Sequence, residues 1–137
     1  MISWIFDLSG GGGFLPPLLY SFPIHPMFNI NRITLLGNAT QDPESHARSN
    51  GKELAIIGFV TVRVSHDDNG DHKSEPEYHT LVCLGQLASF AVKSVKKGAA
   101  LYVEGHLHTK MWEDKNGEQM SRTEVIVDRL VLLSKKN

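Results

Sequence analysis

The amino-acid sequence predicts an all-β fold: a five-stranded barrel with one α-helix between the third and fourth strands. Three observations carry that expectation. Residues 101–127 form two arms that alternate with period two around Asn116-Gly117, the strongest short-range signal for a β-hairpin. A second Asn-Gly, at 69–70, sits in a charged loop between two more alternating runs. Only residues 85–98 space their apolar side chains at helical intervals.

Taken in order, residues 1–26 stand apart, with Gly10 to Gly13 in a row, four of the chain's six prolines, and no Lys or Arg. With no lasting periodicity, they read as a disordered or loosely ordered extension before a domain at 27–134. They lack the basic start of a secretory signal and any apolar run of bilayer length. Asn31 to Asn38 is a short apolar strand, and Gln41 to Glu44 is a turn, because Pro43 cannot continue a ladder. After a polar loop at 45–51, residues 52–65 form a long strand. Leu54, Ile56, Val60, Val62 and Val64 share one of its faces, and Ile57 and Phe59 share the other. Apolar on both sides, the strand is expected to be buried twice, as in a barrel or an oligomer interface. Gly58 in its middle suggests a bulge or a sharp coil.

His66 to Pro76 reads as a loop, and Glu77 to Leu84 as the third strand. Tyr78, Thr80, Val82 and Leu84 share one face of that strand; His79, Leu81 and Cys83 share the other. The helix at 85–98 aligns Leu87, Phe90, Ala91 and Val95, with Lys96 and Lys97 in its last turn and Gly98 as its stop. The hairpin at 101–127 supplies the last two strands, Asp128 to Leu133 finishes the sheet, and 135–137 is a short basic tail. Within the hairpin, Leu101, Val103, Leu107 and Met111 form a face expected in the core. Tyr102, Glu104, His106, His108, Lys110 and Trp112 form the other, so a tryptophan stands one pleat from a lysine on a wet surface. That is the pairing of stacking platform and cation used by proteins that bind single-stranded nucleic acid.

The net charge is −1, and from Met27 onward 14 basic residues face 14 acidic ones. Affinity for nucleic acid must therefore come from local clustering of cations. A single cysteine, Cys83, excludes an intrachain disulfide and a thiolate metal cluster, and suits a reducing compartment. His106 and His108 share a face, but no third ligand is visible nearby, so no metal site is expected there. There is no phosphate-binding glycine loop, no activated nucleophile and no paired carboxylates, so neither catalysis nor a cofactor is expected. Strand, strand, strand, helix, strand, strand is the order of the OB-fold, a Greek-key barrel that binds oligonucleotides or oligosaccharides. SH3-like barrels and OB-fold adaptor domains fit the same pattern.

The stretches INRITLLGNATQDPE, EYHTLVCLGQLASFAVKSVKKGAALYVEGHLHTKMWEDKNG and RTEVIV resemble the bacterial-type single-stranded DNA-binding protein family. The resemblance spans about Asn31 to Leu133. It implies an OB-fold that forms a homotetramer and coats single-stranded DNA without sequence preference in replication, recombination and repair. The family also covers mitochondrial homologues, but residues 1–26 do not look like their presequence, so the expected place is the cytoplasm, at the nucleoid. Carried over residue by residue, it makes Tyr78 and Trp112 base-stacking platforms, and it places His79 at a subunit contact. Lys110, Arg122, Arg32 and His108 are the expected phosphate contacts. Leu84 and Ser65 stand where the family usually has further aromatic residues, and Gln86 where it has a lysine, which weakens the expected binding. The family's long linker and acidic terminal peptide have no counterpart in the sequence, so no recruitment of repair proteins through such a tail is expected, nor any membrane partner. An OB-fold interaction adaptor and a primosome-accessory relative with weak nucleic-acid binding are the competing readings.

Overall fold

The computed structural model describes residues 28–134; the expectations for 1–26 and for the tail at 135–137 lie outside the described residues. Six strands and one helix follow in the order β1 (Ile33–Ala39), β2 (Glu44–Ala47), β3 (Glu53–His66), β4 (His72–Leu84), α1 (Gln86–Ser94), β5 (Ala100–Glu113) and β6 (Gln119–Ser134). Five of the strands close a ring, β1-β5-β6-β4-β3, which returns to β1 through Asn38 and Ala39 opposite Val60 and Phe59. The ring is antiparallel except where Leu81 and Val82 pair in parallel with Val125 and Ile126. The helix follows the third strand of the ring in chain order, as expected. β2 is an added edge strand on β3, where the sequence suggested a loop.

Three hairpins, β2–β3, β3–β4 and β5–β6, are closed by the same five-residue turn. In each, the first residue's N–H donates to the fifth residue's carbonyl, and the fourth, a glycine, donates back to the first residue's carbonyl. These bonds link Arg48 with Lys52 and Gly51, Asp67 with Asp71 and Gly70, and Asp114 with Glu118 and Gly117. Each glycine has positive φ, 76° to 83°, which explains the Asn-Gly pairs. Asp67 and Asp114 brace their own turns further, each accepting two backbone N–H groups on Oδ1. The turns are thus three-residue loops with a left-handed glycine rather than two-residue hairpins.

The core is one cluster inside the ring. Ala55, Ile57 and Phe59 of β3, Leu81 and Cys83 of β4, Leu101 and Val103 of β5, and Val125, Val127 and Leu130 of β6 fill it, with Ala88 and Ala91 of α1 and the following Val95 packed against them. Full burial of a side chain such as Phe59 or Ile57 is worth about 1.5–3 kcal/mol. β3 is therefore buried on one face only: Val62 and Val64, on the other, are 58% and 60% exposed. Leu107 and Met111 also leave the core: the β1–β5 ladder ends at Gly105, and beyond Leu107 β5 and β6 run on as an arm paired only with each other among the described residues.

Other departures have local causes. β4 starts at His72, five residues earlier than expected, and contains Pro76. It tolerates the proline because its second edge is paired only at Leu81 and Val82. Gly58 makes no bulge, since its ladder to Thr80 is continuous. Its missing side chain instead lets Thr40 cross, and Thr40 N–H donates to the Gly58 carbonyl at 2.8 Å. The helix ends at Ser94 rather than near Gly98, because tertiary bonds capture the next turn. Asp42 Oδ1 accepts from Lys97 N–H at 2.8 Å, and the Ala39 carbonyl accepts from Gly98 N–H at 2.8 Å. Of the predicted stripe, Ala91 and Val95 are buried while Phe90 remains 39% exposed.

Cys83 is fully buried, and burial pushes its thiol up from 9.0 to about 12. The native thiol stays protonated, so this group's contribution to stability is complete below pH 9 and is lost as pH rises toward 12. Alkylation near pH 8 is expected to proceed only as fast as the protein opens, and labelling of the native protein at a free thiol's rate would contradict this burial.

Candidate nucleic-acid interface

The β5–β6 turn fixes which side chains meet across the arm. Counting outward from it, Trp112 lies opposite Met120, Lys110 opposite Arg122, His108 opposite Glu124 and His106 opposite Ile126. Period two puts all eight on one face. Tyr78, 72% exposed and opposite Val60, lies on the same side of the sheet. The parallel pairing of Val82 with Ile126 joins the two faces, and its offset brings Tyr78 level with Arg122. Arg32 precedes β1. Asn31 extends the β1–β5 ladder through its side-chain amide, which accepts from Leu107 N–H and donates to the Leu107 carbonyl, both at 2.8 Å. That leaves Arg32 exposed beside His106, on the outward face it shares with Thr34.

The six nucleic-acid candidates, Trp112, Tyr78, Lys110, Arg122, Arg32 and His108, therefore fall on one side of the sheet. His79 does not. It is half-buried on the opposite side with Phe59 and Leu81, shares a 3.0 Å hydrogen bond with Thr61 Oγ1, and its ring centroid is 6.4 Å from that of Phe59.

The charges on the candidate face are not equivalent. Arg122 Nη2 lies 2.9 Å from Glu124 Oε2, and its Cζ lies 5.8 Å from the centroid of the Trp112 ring, a cation–π arrangement. Lys110 forms no ion pair among the described residues. His106 Nδ1 and Asp128 Oδ2 are 3.4 Å apart, an exposed contact of small worth. Asp128 is the extra residue of a β-bulge: Glu104 faces Arg129 while the next residue, Gly105, faces Val127. Near it, the Tyr102 hydroxyl donates to Glu104 Oε1 at 2.6 Å. That bond holds the phenol above the usual tyrosine range, against the opposing pull of Arg129 and Arg32.

Two residues of this face went unread in the sequence, Met120 beside Trp112 and the buried Glu124. The alternation Met120, Arg122, Glu124, Ile126 on the return arm already carried the signal for both.

A family model described as the single-strand binding protein family matches residues 30–133. Among solved structures, a Plasmodium falciparum SSB in complex with ssDNA is 27% identical with a TM-score of 0.72, over 78% of this chain and 97% of that one. A deletion mutant of the single-stranded DNA binding protein from Thermus aquaticus is 24% identical with a TM-score of 0.68, over 77% of this chain. The chain spans 51% of that Thermus chain, and the likeness there is one of fold.

Proposed function

The chain belongs to the single-strand binding protein family, and from that premise we propose that it coats single-stranded DNA without sequence preference and without catalysis. The observation that carries this is the convergence of Trp112, Tyr78, Lys110, His108 and Arg32 on one side of the sheet. Trp112 and Tyr78 offer their faces to bases, and every base has such a face, so recognition is indifferent to sequence. Lys110, Arg32 and His108 line the path with donors for phosphate. The match to a Plasmodium SSB held with ssDNA supports the same ligand.

The finer reading is a homotetramer acting in replication, recombination and repair. Exposed Leu36, Val62 and Val64 supply apolar surface for a second copy to cover, and His79 is assigned to the subunit contact. Sedimentation equilibrium giving the mass of one chain would remove the tetramer and leave the DNA reading standing.

The central test is anisotropy of labelled oligo-dT titrated with the full chain at several salt concentrations. Saturable binding that weakens with salt is expected, with a log–log slope of about 0.7 per neutralised phosphate. Absence of binding at the lowest salt would favour the adaptor reading, in which the partnered Arg122 and the net charge of −1 reflect a protein ligand.

A further inference from the structure

Arg122 has one guanidinium and three claimants: the Glu124 carboxylate, the Trp112 ring, and any phosphate that approaches Lys110 on the opposite strand. The carboxylate has the strongest claim. The Glu124 side chain is 7% exposed against 44% for Arg122, and among the described residues Arg122 is the one cation within ion-pair distance of it. A phosphate drawing Arg122 away would leave a buried carboxylate unpaired, which is far costlier than one surface phosphate contact is favourable.

We propose that Glu124 clamps Arg122 against Trp112, so that Arg122 serves as a planar extension of the stacking platform and not as a phosphate-neutralising charge. The inference rests on the single-stranded DNA reading above and makes Glu124 a positioning residue. A guanidinium suits this part: it is flat, stacks on aromatic rings and on bases, and offers its edge to a carboxylate while its plane stays free. Lysine could not divide itself in that way. On this pleat the charge left for the DNA backbone is that of Lys110.

The clamp removes one cation from the number that a salt titration counts, and this separates it from a merely structural ion pair. The full chain, Glu124→Gln, and the double variant Arg122→Gln with Glu124→Gln are titrated with labelled oligo-dT across a salt series. Freed of its carboxylate, Arg122 reaches phosphate, so Glu124→Gln is expected to bind more tightly, with a log–log slope steeper by about 0.7. The double variant, having lost a neutral pair, is expected to return to the wild-type slope. If Arg122 instead deserts Glu124 for phosphate in the native complex, Glu124→Gln keeps the wild-type slope and the double variant is shallower by about 0.7, which overturns the proposal. Should Glu124→Gln fail to fold, the double variant decides alone, because two uncharged amides replace the ion pair without leaving a charge unpaired, and its slope is either unchanged or shallower. A wild-type chain that binds no oligo-dT at any salt overturns the single-stranded DNA reading itself, an outcome distinct from both slopes.

Discussion

Trp112→Ala is expected to weaken oligo-dT binding about thirtyfold, with the slope of affinity against salt unchanged. Trp112 is 37% exposed, so one part of its ring is fixed by the arm while the rest is open to a base. Loss of one stacked base is worth about 2 kcal/mol, within the range for such truncations, and that corresponds to roughly thirtyfold in Kd. The slope stays because no cation is removed; Arg122 keeps Glu124 at 2.9 Å whether or not a ring lies beneath it. Trp112→Phe retains a smaller face and should recover most of the loss. If alanine weakens binding less than twofold while thermal stability is unchanged, Trp112 is not a platform and the interface must be sought elsewhere on the barrel.

The largest expected effect on stability is at Gly105. A side chain there would collide with the carbonyl of Ile126, part of the neighbouring backbone, and press on Val125 Cγ1 at 3.2 Å. Neither can yield without moving β6 at the bulge, where β5 passes from the barrel to its arm. Overpacking of this kind costs about 3 kcal/mol at its upper range, which lowers the melting temperature of a domain this size by roughly 15 °C. Gly117→Ala, at the open tip, meets only strained φ and should cost about 1 kcal/mol. The pair gives an internal control. If Gly105→Ala melts within a few degrees of Gly117→Ala, the close approach of β5 and β6 is wrong.

These positions also show what was legible in the sequence. Period two correctly sorted Leu101 and Val103 from Tyr102 and Glu104, since alternation is a property of the strand alone. It gave Leu107 and Met111 the same face but not the same fate, because where the barrel ends is decided by neighbouring strands. Val62 and Val64 lie open in the single chain for the same reason: an apolar β-branched residue suits an exposed arm as well as a buried strand. Two Asn-Gly pairs announced their turns, while the third, Asn50-Gly51, was passed over among polar residues although it closes its hairpin in the same way. Asp128 gave no sign of its bulge, and were Asp128 paired in a regular ladder instead, β6 would turn Leu130 outward and Arg129 into the core. At the site, the aromatic and cationic candidates were legible as residue types on alternating strands. Glu124 was not, since its burial at 6% exposure on a face of otherwise wet residues is set by tertiary packing that alternation does not show.

The shared turn has a consequence for how such a protein can vary over generations. Each long arm ends in a self-contained cap whose bonds are made within five residues, so the cap does not depend on how far it stands from the barrel. Inserting one residue in each strand of an arm would reverse its faces; inserting two in each would restore them and carry the same cap outward by about 7 Å. The reach of the outer face is thus a quantity that can be lengthened or shortened in paired steps while core, closure and tip stay as they are. Inheritance of arm length is thereby uncoupled from inheritance of the fold.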